Sequence, residues 1–188
     1  MSAVHRPFRR ASRIAACAPS RHRAIAPDAA QMIALIVKSL EHPTILEIGT
    51  SYGYSGIWLA EAARATGGRL ITMEQHDYKS AFAHDMAVKA GLADWVEFKV
   101  GDAVQMIAEM EDGVDFVLLD LWKDLYVPCL HAFYPKLKSG AIVAADNMLR
   151  PGGENLRRYS EAVRAKPGMT SVLLPVGTGL EISRLEPN

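Results

Sequence analysis

The sequence predicts an α/β fold: a mostly parallel, seven-stranded sheet with helices on both faces and a C-terminal antiparallel hairpin. Three observations predict it. Short apolar runs alternate with amphipathic stretches along almost the whole chain, the pattern of strands joined by crossover helices. A turn bracketed by glycines, Gly49-Thr50-Ser51-Tyr52-Gly53, follows the first of these runs. The last two runs flank Gly177-Thr178-Gly179, which suggests a hairpin.

In order along the chain, Pro27 and Asp28 suit a first helical turn, because proline needs no amide donor there and an acid complements the helix dipole. Apolar residues from Met32 to Leu40 give that helix a broad buried face, and Pro43 ends it. Ile45-Leu46-Glu47-Ile48 has the length and branching of a buried strand. A helix begins near Tyr54 and ends at Gly67-Gly68. A strand from Arg69 to Glu74 follows, then a helix from about Asp77 to Lys89 stopped by Gly91. Strand Trp95 to Val100, helix Val104 to Met110, strand Val114 to Leu119, a helix from about Leu125 to Leu137 and strand Ala141 to Ala145 come next. A helix over roughly Glu154 to Ala165 precedes the two runs Thr170 to Val176 and Leu180 to Leu185.

The chain of 188 residues can hold one core, and its 49% apolar and 22% charged content is that of a water-soluble globular protein. Net charge is zero, so no global field argues for nucleic acid or an anionic membrane as partner. No apolar run reaches the roughly 20 residues needed to span a bilayer. The two cysteines, Cys17 and Cys129, are too few for a disulfide framework or a cysteine-rich zinc site, and a reducing, cytoplasmic compartment is expected. Before Asp28 there is no acid, yet there are six arginines: Arg6, Arg9, Arg10, Arg13, Arg21 and Arg23. Residues 1–23 are therefore expected to be a basic, mobile arm on a single domain of residues 24–188. Mitochondrial import or nucleic-acid contact is the lesser reading of that arm.

Four successive strands end in or beside an acid: Glu74, Asp102, Asp120 and Asp146. In a parallel sheet such positions share one crevice at the carboxyl ends of the strands. The turn reads G-x-x-x-G with Glu47 two residues before it, rather than the G-x-G-x-x-G of dinucleotide sites. Glu74, one βα unit later, is placed to accept ribose hydroxyls. Asp102 has two readings, a contact to an adenine amino group or an N-cap of the next helix. Asp120, Asp146 and Asn147 supply hard oxygen ligands of the kind that hold Mg²⁺ or another hard divalent cation. Their plain alternative is a helix cap. Lys123 follows Asp120 closely enough to face the same pocket as a general base, its alternative being a solvated helix lysine.

The motifs Leu46-Glu-Ile-Gly-Thr-Ser-Tyr-Gly-Tyr-Ser55, Phe116-Val-Leu-Leu-Asp-Leu-Trp-Lys-Asp-Leu-Tyr126, Ala145-Asp-Asn147 with Pro151-Gly152, and Gly179-Leu-Glu181 resemble those of the class I, S-adenosylmethionine-dependent O-methyltransferases typified by catechol O-methyltransferase and its bacterial relatives. The resemblance runs from about Ile25 to Leu185 and implies a Rossmann-like class I methyltransferase fold. It implies S-adenosylmethionine contacts at Glu47, Gly49, Ser51, Gly53, Ser55, Glu74, Asp102, Ala103 and Asp120. It implies Mg²⁺ at Asp120, Asp146 and Asn147, with Lys123 as the base. Trp122 and Pro151 would wall the slot for a small catechol-like acceptor, and Glu181 would hold its second hydroxyl. Leu121 departs from the family, where a polar residue often follows the metal aspartate. The shorter N-terminus also departs from it. A metal-independent methyltransferase and a non-catalytic cofactor-binding or regulatory protein are the rival readings, and a homodimer is compatible with all of them.

Overall fold

The computed structural model describes residues 25–187, so the expected basic arm lies outside the described residues. The elements are α1 (Pro27–Lys38), β1 (Thr44–Ile48), α2 (Tyr54–Thr66), β2 (Arg69–Glu74), α3 (Asp77–Ala90), β3 (Val96–Val100), α4 (Ala103–Ala108), β4 (Val114–Leu119), α5 (Tyr126–Phe133), β5 (Leu137–Ala145), α6 (Glu154–Arg164), β6 (Met169–Leu174) and β7 (Leu180–Leu185). They build one seven-stranded sheet in the order β3-β2-β1-β4-β5-β7-β6. The first five strands are parallel; β7 runs antiparallel to both β5 and β6. The chain order reverses between β1 and β4, and ligands of open α/β sheets bind at such a switch.

The side chains of the central strands alternate between two cores, as the period of two requires. Ile45, Leu70, Phe116, Leu118 and Ala144 face the layer of α1, α2 and α3. Leu46, Ile48, Ile71, Met73, Val117, Leu119 and Val143 face α4, α5 and α6. Burial on both sides explains the near-continuous apolar runs in the sequence. Among the described residues no helix is long and apolar enough to cross a membrane.

One predicted helix is shorter than expected. The stretch from Leu125 to Leu137 divides into a 3-10 turn at Lys123–Leu125, α5 at Tyr126–Phe133 and a second 3-10 turn at Tyr134–Lys136. Pro128 sits in the first turn of α5, where its missing amide is harmless, whereas Pro135 cannot continue the helix. Strand β5 then starts at Leu137, four residues before the expected Ala141, through the exposed Lys138 and Ser139. Gly67 and Gly91 close α2 and α3 in the left-handed conformation, as glycines past a helix end do.

Candidate active site

The carboxyl ends of β1, β2, β4 and β5, and the turn after β3, surround a cavity of about 480 Å³. That lies within the roughly 300–1,000 Å³ usual for small-molecule sites. Of the residues expected at a site, Gly49, Ser51, Glu74, Asp102, Ala103, Asp120, Trp122, Lys123 and Asn147 line it.

The glycine turn is set by its contacts beneath. The amides of Gly49 and Thr50 both donate to the Met73 carbonyl, at 2.9 and 3.0 Å. Gly49 has φ +110°, and a Cβ there would collide with the Asp120 main chain, so only glycine fits where β1 and β4 open toward the cavity. The Glu74 carboxylate is fixed by two amides, Ser51 at 2.8 Å and His76 at 3.0 Å. Asp102 stands both on a helix end and on the cavity wall. It caps α4 by accepting from the Gln105 amide at 2.9 Å, and it lines the cavity.

At the other end, Lys123 Nζ donates to Asp120 Oδ1 at 3.0 Å and to the Tyr126 hydroxyl at 2.7 Å. The Tyr126 hydroxyl donates to the Asp146 carbonyl at 3.0 Å. Asp146 is fully buried; its Oδ1 accepts from Thr178 at 2.7 Å and its Oδ2 from the Asn147 amide at 3.2 Å. Asn147 adopts φ +64° and also donates to the Thr178 hydroxyl at 3.0 Å. Asparagine tolerates this left-handed conformation better than most residues. With both amide hydrogens engaged, its oxygen is the atom left for a ligand. Burial pushes the Asp120 carboxyl up to about 6; the Lys123 ammonium opposes the rise and the Asp146 charge adds to it. Burial likewise raises Asp146, against the Thr178 and Asn147 hydrogen bonds. Among the described residues no three His, Cys, Asp or Glu side chains gather as a metal cluster. A cation here would rest on two carboxylates and an amide oxygen.

Several expected positions lie off the cavity wall. Glu47 projects from β1 into the α1–α3 side of the sheet, is fully buried, and accepts from the Thr72 hydroxyl at 2.6 Å. The Ser55 hydroxyl of α2 stands near the same carboxylate. Both lie beneath the glycine turn, outside the cavity lining, and Glu47 Oε1 is buried without a hydrogen-bond partner among the described residues. Burial pushes Glu47 up to about 7, against those two hydroxyls. Gly53 is the N-cap of α2 in the left-handed region and brings that helix close to Ala83 of α3. Pro151 is exposed, outside the lining. Glu181 is fully buried on β7, where it accepts from Ser160 at 2.6 Å and Arg164 at 2.9 Å of α6. Its carboxylate is held by a helix, outside the cavity lining.

Residues that the sequence did not single out also line the cavity, among them Met73, Gln75, Lys79 and Leu125. Tyr126 and Thr178, which orient the lysine and the Asp146 carboxylate, likewise carry no sequence signal of their own. Position relative to strand ends was the available signal for Gln75; the others need the fold.

A family model described as O-methyltransferase matches residues 4–185. The chain is similar to catechol O-methyltransferase of Niastella koreensis, 30% identical over 132 residues that cover 68% of this chain and 59% of that protein. The Mycobacterium tuberculosis protein of the same name is 31% identical, with 69% and 59% covered. The chain thus spans about three-fifths of the length of these two relatives. Caffeoyl-CoA O-methyltransferase 2 of Petunia hybrida is 27% identical, covering 95% of this chain and 83% of that one. Among solved structures, an O-methyltransferase from Bacillus cereus in complex with SAH superposes with a TM-score of 0.84 at 25% identity, covering 96% of this chain and 90% of its own.

Proposed function

The chain belongs to the O-methyltransferase family, and on that premise we propose that it transfers the methyl group of S-adenosylmethionine to a hydroxyl of a small catechol-like molecule, aided by Mg²⁺ or another hard divalent cation. The observation that carries this reading is a single cavity whose wall holds a fixed carboxylate at Glu74, a basic side chain at Lys123 and hard oxygen donors at Asp120 and Asn147.

The residues present fit both groups. Glu74 keeps lone pairs beyond those its two amides use, so its oxygens can accept from a ribose diol. Gly49 leaves the wall bare where a ligand must approach backbone. Asp102 stands at the end of β3 for an adenine amino group. Burial raises both Asp120 and Asp146, and the Asp146 charge raises Asp120 further, a repulsion that a hard cation relieves.

When bound, the sulfonium cofactor would supply an electrophilic methyl group and the cation would stabilise an oxyanion. This chain's residues do the rest. A phenolic hydroxyl has a reference pKa of about 10, so a base is needed near neutral pH. Lys123 Nζ is the group placed to take that proton. Asp120 and Tyr126 hold the nitrogen in place before and after the transfer. Trp122, 66% exposed at the rim, offers an aromatic face to a flat ring. Positioning of acceptor against donor can lower the barrier by about 7–11 kcal/mol, more than proton transfer to the lysine would contribute.

Incubation with labelled S-adenosylmethionine and a panel of catechols, with and without Mg²⁺, tests the reading. Label should pass to a catechol only when the cation is present. Tight cofactor binding without transfer to any hydroxyl compound would leave a binding protein instead.

A further inference from the structure

Helix α3 buries Lys79, Ser80, Ala83, Met86 and Ala87, a stripe at i, i+1, i+4, i+7 and i+8 that packs toward the sheet as an amphipathic helix should. Four of these are small or apolar. Lys79 is the exception. It is 7% exposed, and it occupies the first turn, where a positive charge opposes the helix dipole. Among the described residues its ammonium has no hydrogen-bond or ion-pair partner. The stem is covered while the nitrogen, which is not fully buried, opens to the cavity, so its hydrogen bonds are left to whatever the cavity holds. Lys79 lines the cavity beside Glu74 and Gln75 at the end of β2.

We propose that Lys79 binds the adenosyl group of the ligand, donating hydrogen bonds to the same sugar whose hydroxyls donate to Glu74. The inference rests on the reading that the cavity takes S-adenosylmethionine. A ribose hydroxyl is both donor and acceptor, a carboxylate only accepts and an ammonium only donates. Glu74 and Lys79 line one wall without forming an ion pair with each other. A diol held at that wall meets an acceptor and a donor, and satisfies the lysine that the protein alone leaves unpaired. Glu74 alone would leave the sugar oxygens' lone pairs to water.

Calorimetric titration of the full chain with S-adenosylmethionine, its demethylated product and adenosine tests this on wild type, Lys79→Met and Lys79→Arg. Lys79→Met should weaken all three ligands by about 10-fold or more, the loss of a charge-assisted hydrogen bond. The factor should be equal for adenosine, which shares the sugar and lacks the amino acid. Lys79→Arg retains a donor and should recover part of the loss. The ligand-free Lys79→Met protein should melt no lower than wild type, because methionine keeps the stem and removes an unpartnered charge; a purely structural lysine would lower the melting temperature and leave affinity unchanged. Affinities for Lys79→Met within about twofold of wild type would overturn the inference while leaving the cofactor reading intact. A loss spared in adenosine would also overturn it, moving the contact to the amino-acid end. Absence of binding by wild type would remove the cofactor reading and this inference together.

Discussion

Lys123 Nζ and the Tyr126 hydroxyl lie 2.7 Å apart, and the hydroxyl donates onward to the Asp146 carbonyl. A phenol that spends its hydrogen on a carbonyl can only accept from the lysine. The lysine nitrogen is thus held between an oxygen of Asp120 and a buried tyrosine that is itself stacked edge-on against Tyr159. A flexible side chain is fixed at the cavity wall by packed ones.

Tyr126→Phe should therefore act on both stability and rate. It strips the Asp146 carbonyl of its donor in a fully buried place, which costs about 1–3 kcal/mol. It also frees Lys123 to pair with Asp120 alone, and kcat toward a catechol should fall about 10-fold or more if the lysine is the base. Denaturant melts and steady-state rates read the two effects separately. An unchanged kcat in a destabilised protein would confine Tyr126 to packing.

Gly49→Ala should be far worse than an ordinary surface change. A methyl group would fall on the Asp120 backbone, in a φ region that disfavours any Cβ. The loss should be about 3–5 kcal/mol, at the severe end for single substitutions. Gly91→Ala is the control: its added Cβ meets nothing within 4 Å, so only the left-handed backbone penalty of about 1–2 kcal/mol remains. Equal melting temperatures for the two variants would contradict the crowding at Gly49.

The strand-end acids and the glycine turn were legible in the sequence because both follow from period and spacing. Glu74, Asp102 and Asp120 are acids that end runs of buried residues, and a parallel sheet leaves them one place to meet. Cross-strand register was not legible. The neighbours of Glu47 emerge only when β1 and β2 are aligned, which puts Thr72 beside it and sends both side chains into the helical layer. The setting of Glu181 was hidden for a related reason. The face a β7 residue takes depends on how β7 pairs with β5, and that pairing points Glu181 at Ser160 and Arg164. Lys79 was silent because a lysine in a polar-looking helix reads as solvated. Its burial is a property of the packed stripe.

Glu47 should make stability depend on pH around neutrality. Its folded pKa is about 7 against an ordinary 4.5, raised chiefly by burial. Below about 4.5 both folded and unfolded states hold the proton and there is no penalty. As pH rises from there to about 7 the unfolded state ionises first, so stability falls, and the full deficit of about 3 kcal/mol is present above 7. Glu47→Gln keeps the shape and an oxygen to accept from Thr72, and should flatten that slope. The buried amide hydrogens need partners, so the gain at pH 8 should be about 1–2 kcal/mol. Urea titrations of both proteins at pH 5 and pH 8 measure it. Parallel pH profiles for the two would mean that Glu47 ionises normally.

The cation assignment turns on Asp120 and Asp146, which the structure supports unequally. Asp146 already accepts two hydrogen bonds, from Thr178 and Asn147, and could serve only to brace that loop. Removing it would leave those donors unpaired and confuse metal loss with loop collapse. Asp120 is the cleaner probe. It lines the cavity, and Asp120→Asn keeps its shape and an oxygen while removing the charge that would hold the ion. If a hard cation binds here, Asp120→Asn should lower Mg²⁺ affinity by about 10-fold or more and depress catechol methylation in step. Adenosine affinity should change little, because the proposed sugar acceptor is Glu74. Excess Mg²⁺ should then restore part of the rate to Asp120→Asn, and EDTA should abolish the rate of wild type. Methylation that persists in EDTA, with Asp120→Asn as active as wild type, would return Asp146 and Asn147 to a purely structural pair and leave a metal-independent transferase.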